Sequence, residues 1–181
     1  MSYLNRPARA SQLLRGSVLV LGVLSWLAPG RAVAQDLGAL QDRLAIAEQL
    51  AQYSYRWDSK DSEGFADLFT ADGAMDRRRG GSLVTDARVV GHQAILEYAR
   101  TSHQGRLADR QTRHHFSALV FLELTADSAV TENMALITHQ TAGDSAAFIS
   151  ASGIYRNTWK KTPQGWKIAE RILFTDRFGG P

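Results

Sequence analysis

The apolar positions of this chain change period partway along it. Between Leu37 and Trp57, Ile46, Leu50, Tyr53 and Trp57 recur at spacings of four, three and four, flanked by Leu44, Ala47 and Ala51. Residues three and four apart share one face of a helix, so this stretch predicts an amphipathic helix with a wide core-facing stripe. Asp61 then stands where the N-cap of a second, short helix belongs, with Phe65, Leu68 and Phe69 inward and an end near Ala71-Asp72-Gly73. The two helices form a hairpin. After Gly73, Ala74 to Asp76 and Ser82 to Val90 read as strands around Gly80-Gly81, and Gly91-His92-Gln93 opens a third helix carrying Ile95, Tyr98 and Ala99. From Thr112 onward everything reads as sheet. Runs at 112–124, 129–141, 146–160 and 166–176 are rich in Val, Ile, Thr and aromatic residues and are separated by short polar or Gly/Pro segments, which predicts successive antiparallel hairpins. The order implies an α+β fold in which a curved antiparallel sheet wraps around the long N-terminal helix. A sheet curled in this way encloses a conical pocket, a place where small ligands bind.

Met1 to Ala34 has a different character: Arg6, Arg9 and Arg15 precede an apolar run from Val18 to Leu27, followed by Ala32-Val33-Ala34. That is the pattern of a secretory signal peptide cleaved after Ala34. The apolar run is about ten residues, short of the roughly 20 that a spanning helix needs. The expectation is therefore a signal over 1–34 and a single domain over 35–181 that is periplasmic or secreted and not membrane-bound after cleavage. Four of the 21 basic residues and none of the 18 acidic ones lie in the signal, which takes the balance from +3 to 17 against 18, or −1. A net charge this small gives no reason to invoke nucleic acid as a partner. The run Arg77-Arg78-Arg79 before Gly80-Gly81 reads as a solvated hairpin tip rather than an anion site. The chain has no cysteine, which excludes disulfides, thiolate metal sites and cysteine nucleophiles. Its histidines show neither His-x-His nor His-x-x-x-His spacing, so no metal and no cofactor are expected.

The candidate chemistry starts at Asp58, a carboxylate placed directly after the core residue Trp57. A carboxylate near a core must be paired or hydrogen-bonded. Arg113-His114-His115-Phe116, at the start of a strand-like run, offers the partner. Adjacent strand residues face opposite sides of a sheet, so only one of the two imidazoles can meet Asp58, and a slip of one residue exchanges them. Tyr53 lies about 140° around an ideal helix from Asp58, so the two share a pocket only if the sheet wraps well round the helix. His139 is either a second imidazole in the cavity or a hydrogen-bonded sheet histidine. Arg171 alternates with Ala169 and Leu173; it is either a solvated edge residue or an inward arginine needing an anion or a carbonyl. His92 and His103 read as surface residues.

Taken together, Tyr53…Asp58…Asp61 with Leu68-Phe69-Thr70-Ala71-Asp72-Gly73, Gly91-His92-Gln93-Ala94-Ile95, Arg113-His114-His115-Phe116 and Gly165-Trp166-Lys167-Ile168-Ala169 before Arg171 resemble a known family. It is the SnoaL-like branch of the nuclear transport factor 2-like superfamily, the α+β cone that also holds scytalone dehydratase, bile acid 7α-dehydratase and hexachlorocyclohexane dehydrochlorinase. The resemblance spans roughly Leu40 to Phe174. It implies a cone-shaped α+β barrel and, for the lyases, an Asp–His pair with a tyrosine five residues before the Asp and an arginine on the last strand. Carried onto this chain, the catalytic residues are Asp58, His115, Tyr53 and Arg171, with His139 and Trp57 contacting substrate. The chain departs from the family pattern after the histidine, where Phe116-Ser117-Ala118 stands in place of a nearby Asn. The function so implied is a cofactor-independent, dehydratase-type lyase acting on a small hydrophobic, oxygenated molecule. A non-catalytic ligand-binding protein and an isomerase or cyclase using Asp58 as its base are the alternatives. A homo-oligomer is expected, because open sheets of the superfamily commonly pair through their outer faces.

Overall fold

The computed structural model of the chain describes residues 29–176 except 80, 81, 85 and 86. Most of the expected signal peptide lies outside the described residues. The first helix, α1, runs Pro29–Asp58 and so crosses the expected cleavage point. It is followed by α2 (Ser62–Ala66), β1 (Phe69–Arg79), β2 (Ser82–Leu83), β3 (Val89–Val90), α3 (His92–Gln104), β4 (Arg110–Leu124), β5 (Ser128–Thr141), β6 (Phe148–Thr162) and β7 (Gly165–Thr175).

The strands form one sheet in the order β2-β1-β7-β6-β5-β4, with β3 also on β1. β4 to β7 are the successive antiparallel hairpins that the turn residues predict. β1 closes the other edge in parallel, with Met75 beside Arg171 and Arg77 beside Leu173. This parallel pairing joins residues nearly a hundred apart, and no local pattern announces it. The second helix is also shorter than expected, because Asp61 caps it by accepting from the Gly64 amide and Phe69 already pairs with Ile168 on β7. Phe69 is therefore buried from a strand instead of a helix.

The core lies between α1 and the concave face of the sheet. Ile46, Leu50, Tyr53 and Trp57 are buried there against Phe65, Ile95, Trp159, Trp166 and Ile168. The flanks of the predicted stripe do not follow them inward: Leu44 is 63% exposed, and Ala47 and Ala51 are exposed too. The α1 seam is thus one residue wide over much of its length. Polar bonds fix its far end, where Asp42 Oδ1 accepts from Trp166 Nε1 at 2.9 Å and from Lys161 Nζ at 2.6 Å.

A contrast between two residues on α1 tests this packing. Ile46→Ala deletes a fully buried side chain and is expected to lower unfolding free energy by about 2–5 kcal/mol, read by urea denaturation. Leu44→Ala, two residues away on the exposed flank, is expected to change it by no more than about 0.5 kcal/mol. A large loss from Leu44→Ala would show that this flank is covered in solution.

Candidate active site

Asp58 ends α1 with its side chain turned into the first residues of β4. Its Oδ1 accepts from Thr112 Oγ1 at 2.7 Å, and its Oδ2 accepts from the His114 backbone N–H at 2.8 Å. The third contact is His114 Nδ1, 2.8 Å from Oδ1, with the Asp58 and His114 side chains 10% and 7% exposed. Burial alone raises the Asp58 carboxyl, but the His114 ring and amide and the Thr112 hydroxyl together hold it below its ordinary value. Asp58 is therefore a carboxylate that accepts the Nδ1 proton, which leaves the His114 Nε2 lone pair free.

The partner of Asp58 is thus His114 and not His115. Thr112, His114 and Phe116 alternate inward on β4, while His115 is exposed and points to the outer face, where its Nε2 lies 3.3 Å from Thr138 Oγ1. The expected pairing missed by one residue for a structural reason. Ala118 adopts a φ of 51° within a bulge between Ser117 and Val120. A bulge adds one residue to a strand and reverses the parity of its faces. Leu119 and Phe121 pack against the core beyond the bulge, and their odd numbers, extended backward, would bring His115 inward.

A cavity of about 500 Å³ opens beside the pair, and Tyr53, Trp57, His114, His139 and Arg171 all line it. Apart from His115 on the outer face, the structure therefore gathers in one pocket the side chains singled out from the sequence as catalytic or substrate-contacting, with Asp58 standing behind His114. The wrap of the sheet overcomes the helical offset of Tyr53, whose ring centroid is 6.2 Å from that of His114. Burial, with Tyr155 nearby, pushes the Tyr53 phenol well above its ordinary value of 10.0, so it remains a protonated donor. His139 lies beside Thr112 in the β4–β5 register, and its buried Nδ1 has no partner among the described residues. Burial and then the Arg110 charge hold its pKa below the ordinary 6.5, which keeps the ring neutral at pH 7.

Arg171 is 1% exposed, and its Cζ lies 3.7 Å from the Tyr53 ring centroid and 3.6 Å from that of Tyr155. The guanidinium is clamped between two aromatic faces. Its Nη1 donates to Asn157 Oδ1, while Nε and Nη2 are buried without a partner among the described residues. Asn157 is oriented in turn by donating to Thr131 Oγ1 at 3.3 Å and Asn133 Oδ1 at 3.2 Å.

Several site residues went unread in the sequence. Thr112, Tyr155 and Asn157 are among them, although Tyr155 and Asn157 share a strand face with Trp159, an alternation that marks all three as inward. Arg77 and Arg79 also line the cavity, so the arginine run is not merely a solvated hairpin tip. It lies within β1, where alternation separates these two side chains from Arg78. His103, read as a surface residue, is buried with its Nδ1 2.8 Å from Ser62 Oγ. Among the described residues no group of three His, Cys, Asp or Glu side chains is placed to hold a metal ion.

Because the Asp58 carboxyl is more acidic in the folded chain than in the unfolded one, it stabilises the fold fully above its unfolded value, about 3.8. That contribution is lost as pH falls through the lower folded value. Asp58→Asn is expected to cost about 1–3 kcal/mol at pH 7, with the gap to the unsubstituted protein narrowing below pH 4. Denaturant titrations from pH 3 to pH 7 read this; a gap independent of pH would show that the carboxylate charge plays no part.

Residues 38–172 match the profile of the SnoaL-like domain. No curated protein matches the chain. Among solved structures, it is similar to an Asp→Asn variant of a function-unknown protein from Mycobacterium tuberculosis, at 27% identity and a TM-score of 0.65 over 77% of this chain and 79% of that one. It is also similar to an NTF2-like protein with a cystatin-like fold from Novosphingobium aromaticivorans, at 24% identity and a TM-score of 0.69, covering 83% and 91%. A third is a candidate scytalone dehydratase from Novosphingobium aromaticivorans, at 22% identity and a TM-score of 0.64, covering 80% and 97%. The profile match over most of the chain places this protein in the SnoaL-like family of the nuclear transport factor 2-like superfamily, which includes dehydratases and isomerases.

Proposed function

We propose that the protein is a cofactor-independent lyase of the dehydratase type, acting on a small, largely hydrophobic, oxygenated molecule. The observation that carries this reading is the position of His114, whose ring lines the cavity while its Nδ1 is held by the Asp58 carboxylate at 2.8 Å. A structural pair packed dry inside a filled cone needs no cavity beside it.

In this mechanism His114 Nε2 takes a proton from the carbon next to a substrate carbonyl, and the electron pair moves onto the carbonyl oxygen. Asp58 stabilises the imidazolium that forms and fixes its orientation. The developing oxyanion is met by the unpartnered N–H groups of Arg171, with the Tyr53 hydroxyl as a further donor. When the carbonyl re-forms, the bond to the hydroxyl on the next carbon breaks. The imidazolium proton leaves with that hydroxyl as water, and His114 is neutral again.

Asp58 as the reacting base is less well supported, because both of its oxygens are occupied by Thr112 and His114 and it does not line the cavity. A homo-oligomer is a separate proposal. It is supported by Met134, Leu136 and Ile154, which are 55%, 39% and 39% exposed on one outer patch of β5 and β6.

Asp58→Asn and His114→Ala are each expected to lower turnover by about 10²–10⁴ while leaving the fold intact by circular dichroism. The double variant should lose little more than either single one, since residues acting as a unit are strongly non-additive. His115→Ala is expected to be mild. Full activity in both single variants would leave the site a binding pocket. Met134→Lys is expected to shift an oligomer toward monomer by light scattering; no change in mass would remove the outer patch as the contact.

A further inference from the structure

The cavity that holds His114 is cationic, and its arginines are not balanced. Among the described residues, Arg77, Arg79, Arg106 and Arg171 line it against a single carboxylate, Asp76. Asp76 is already engaged: its Oδ1 accepts from the Arg77 backbone N–H at 2.7 Å, and its Oδ2 lies 3.5 Å from Arg88 Nη1. Arg88 in turn pairs with Glu170 at 3.0 Å. Among the described residues, none of the four cavity arginines forms an ion pair, whereas Arg56, Arg88, Arg100 and Arg156, none of which lines the cavity, each meet a carboxylate. Arg106 bonds only neutral oxygens, those of Tyr98 and Ser102, both at 3.3 Å. Arg171 is the strongest case, since it is buried with two donor nitrogens unmet. A guanidinium removed from water without a counter-charge is costly, and a bound anion removes that cost.

The sheet register sets where the charges stand. β1 and β7 run parallel with Met75 beside Arg171, Arg77 beside Leu173 and Arg79 beside Thr175, and all six residues line the cavity. At about 3.3 Å rise per residue, the Arg77 and Arg79 tiers lie about 7 and 13 Å along the strand from the Arg171 tier. Arg77 and Arg79 are exposed, so they stand at the mouth, while Arg171 is at the depth of His114.

We propose that the substrate of this pocket is an organic anion. Its reacting end lies between His114 and Arg171, and a carboxylate or phosphate about 7–13 Å away is held at the mouth by Arg77 and Arg79. Both oxyanions match the planar fork of a guanidinium. This names the substrate class of the lyase reading and rests on that reading only for what happens at His114.

The test is calorimetric titration of the purified protein with three probes sharing one ring system: 2-naphthoate, 2-naphthyl phosphate and the uncharged 2-naphthamide. At least one anion is expected to bind about tenfold more tightly than the amide, with the advantage shrinking in 0.5 M NaCl. Which anion gains more distinguishes carboxylate from phosphate as the recognised group. The double variant Arg77→Gln/Arg79→Gln, made at two exposed positions, is expected to bring that anion to within about threefold of the amide and to leave amide binding unchanged. Equal affinity for charged and neutral probes, no measurable binding of either anion at millimolar concentration, or an anion preference that survives in the double variant overturns the proposal. Asp58→Asn separates it from the lyase reading. An anion preference retained in Asp58→Asn supports the substrate class whatever happens to turnover. Turnover lost in Asp58→Asn alongside equal affinity for all three probes removes the substrate class and leaves the lyase.

Discussion

One carboxylate ties the helical layer to the sheet beside the cavity. Asp58 stands on the last residue of α1 and accepts from a hydroxyl, a backbone amide and an imidazole, all within residues 112–114 of β4. These three donors come from two alternate residues of one strand, Thr112 and His114, so they are satisfied together only in one register of β4 against α1. The apolar seam from Ile46 to Trp57 brings the helix onto the sheet, but apolar burial has no direction and tolerates sliding. The Asp58 contacts supply the direction. They also hold the His114 ring in one orientation, so the same bonds that fix the packing leave Nε2 facing the cavity.

A second set of polar groups carries the opposite side of the site at some cost to stability. Thr131, Asn133, Asn157 and Arg171 are all buried on the concave face, where Val, Leu or Ile would pack with less penalty. Most of their hydrogen-bonding capacity is used internally, with Trp159 Nε1 also donating to Thr131 Oγ1 at 2.9 Å. What is left over is concentrated at Arg171, whose Nε and Nη2 are unmet. A network that satisfies every member but one, and clamps that one between Tyr53 and Tyr155, holds two donors ready without reorganisation when charge develops nearby.

The parts of this fold that were legible in the sequence are those set by short-range periodicity. The inward seam of α1, the Asp61 cap and the four long hairpin strands all follow from residues a few positions apart. The misreading of β4 has its own origin, a strand face whose alternation restarts at a bulge. Inward positions on β4 run Thr112, His114, Phe116 before the bulge and Leu119, Phe121 after it. No single parity fits both halves, and Ala118, a residue with no special liking for positive φ, gives no local sign of the break. The parallel edge made by β1 was hidden for a different reason, because its partner lies at the other end of the domain. Its consequence for the site is large, since it sets Arg77 and Arg79 in line with Arg171.

That alignment changes what a run of three arginines means. On a loop tip all three side chains reach solvent and their repulsion is relieved by water. Inside a strand, Arg77 and Arg79 project to the same face at a spacing of about 7 Å, over a cavity whose one lining carboxylate among the described residues, Asp76, is bound elsewhere. On the proposed lyase reading, positive charge at the mouth and an acid–base pair at depth divide the work of the reaction. Attraction remote from the reacting carbon orients the substrate, and binding energy spent there raises the rate only if it holds the reacting carbon within reach of His114. The rigid link between the two regions is β7, which carries Arg171 at one tier and borders Arg77 and Arg79 at the next two. The spacing of Arg77 and Arg79 from Arg171 is therefore set at the backbone by the pairing of β1 with β7, and an anion of matching length would meet guanidinium groups from both strands.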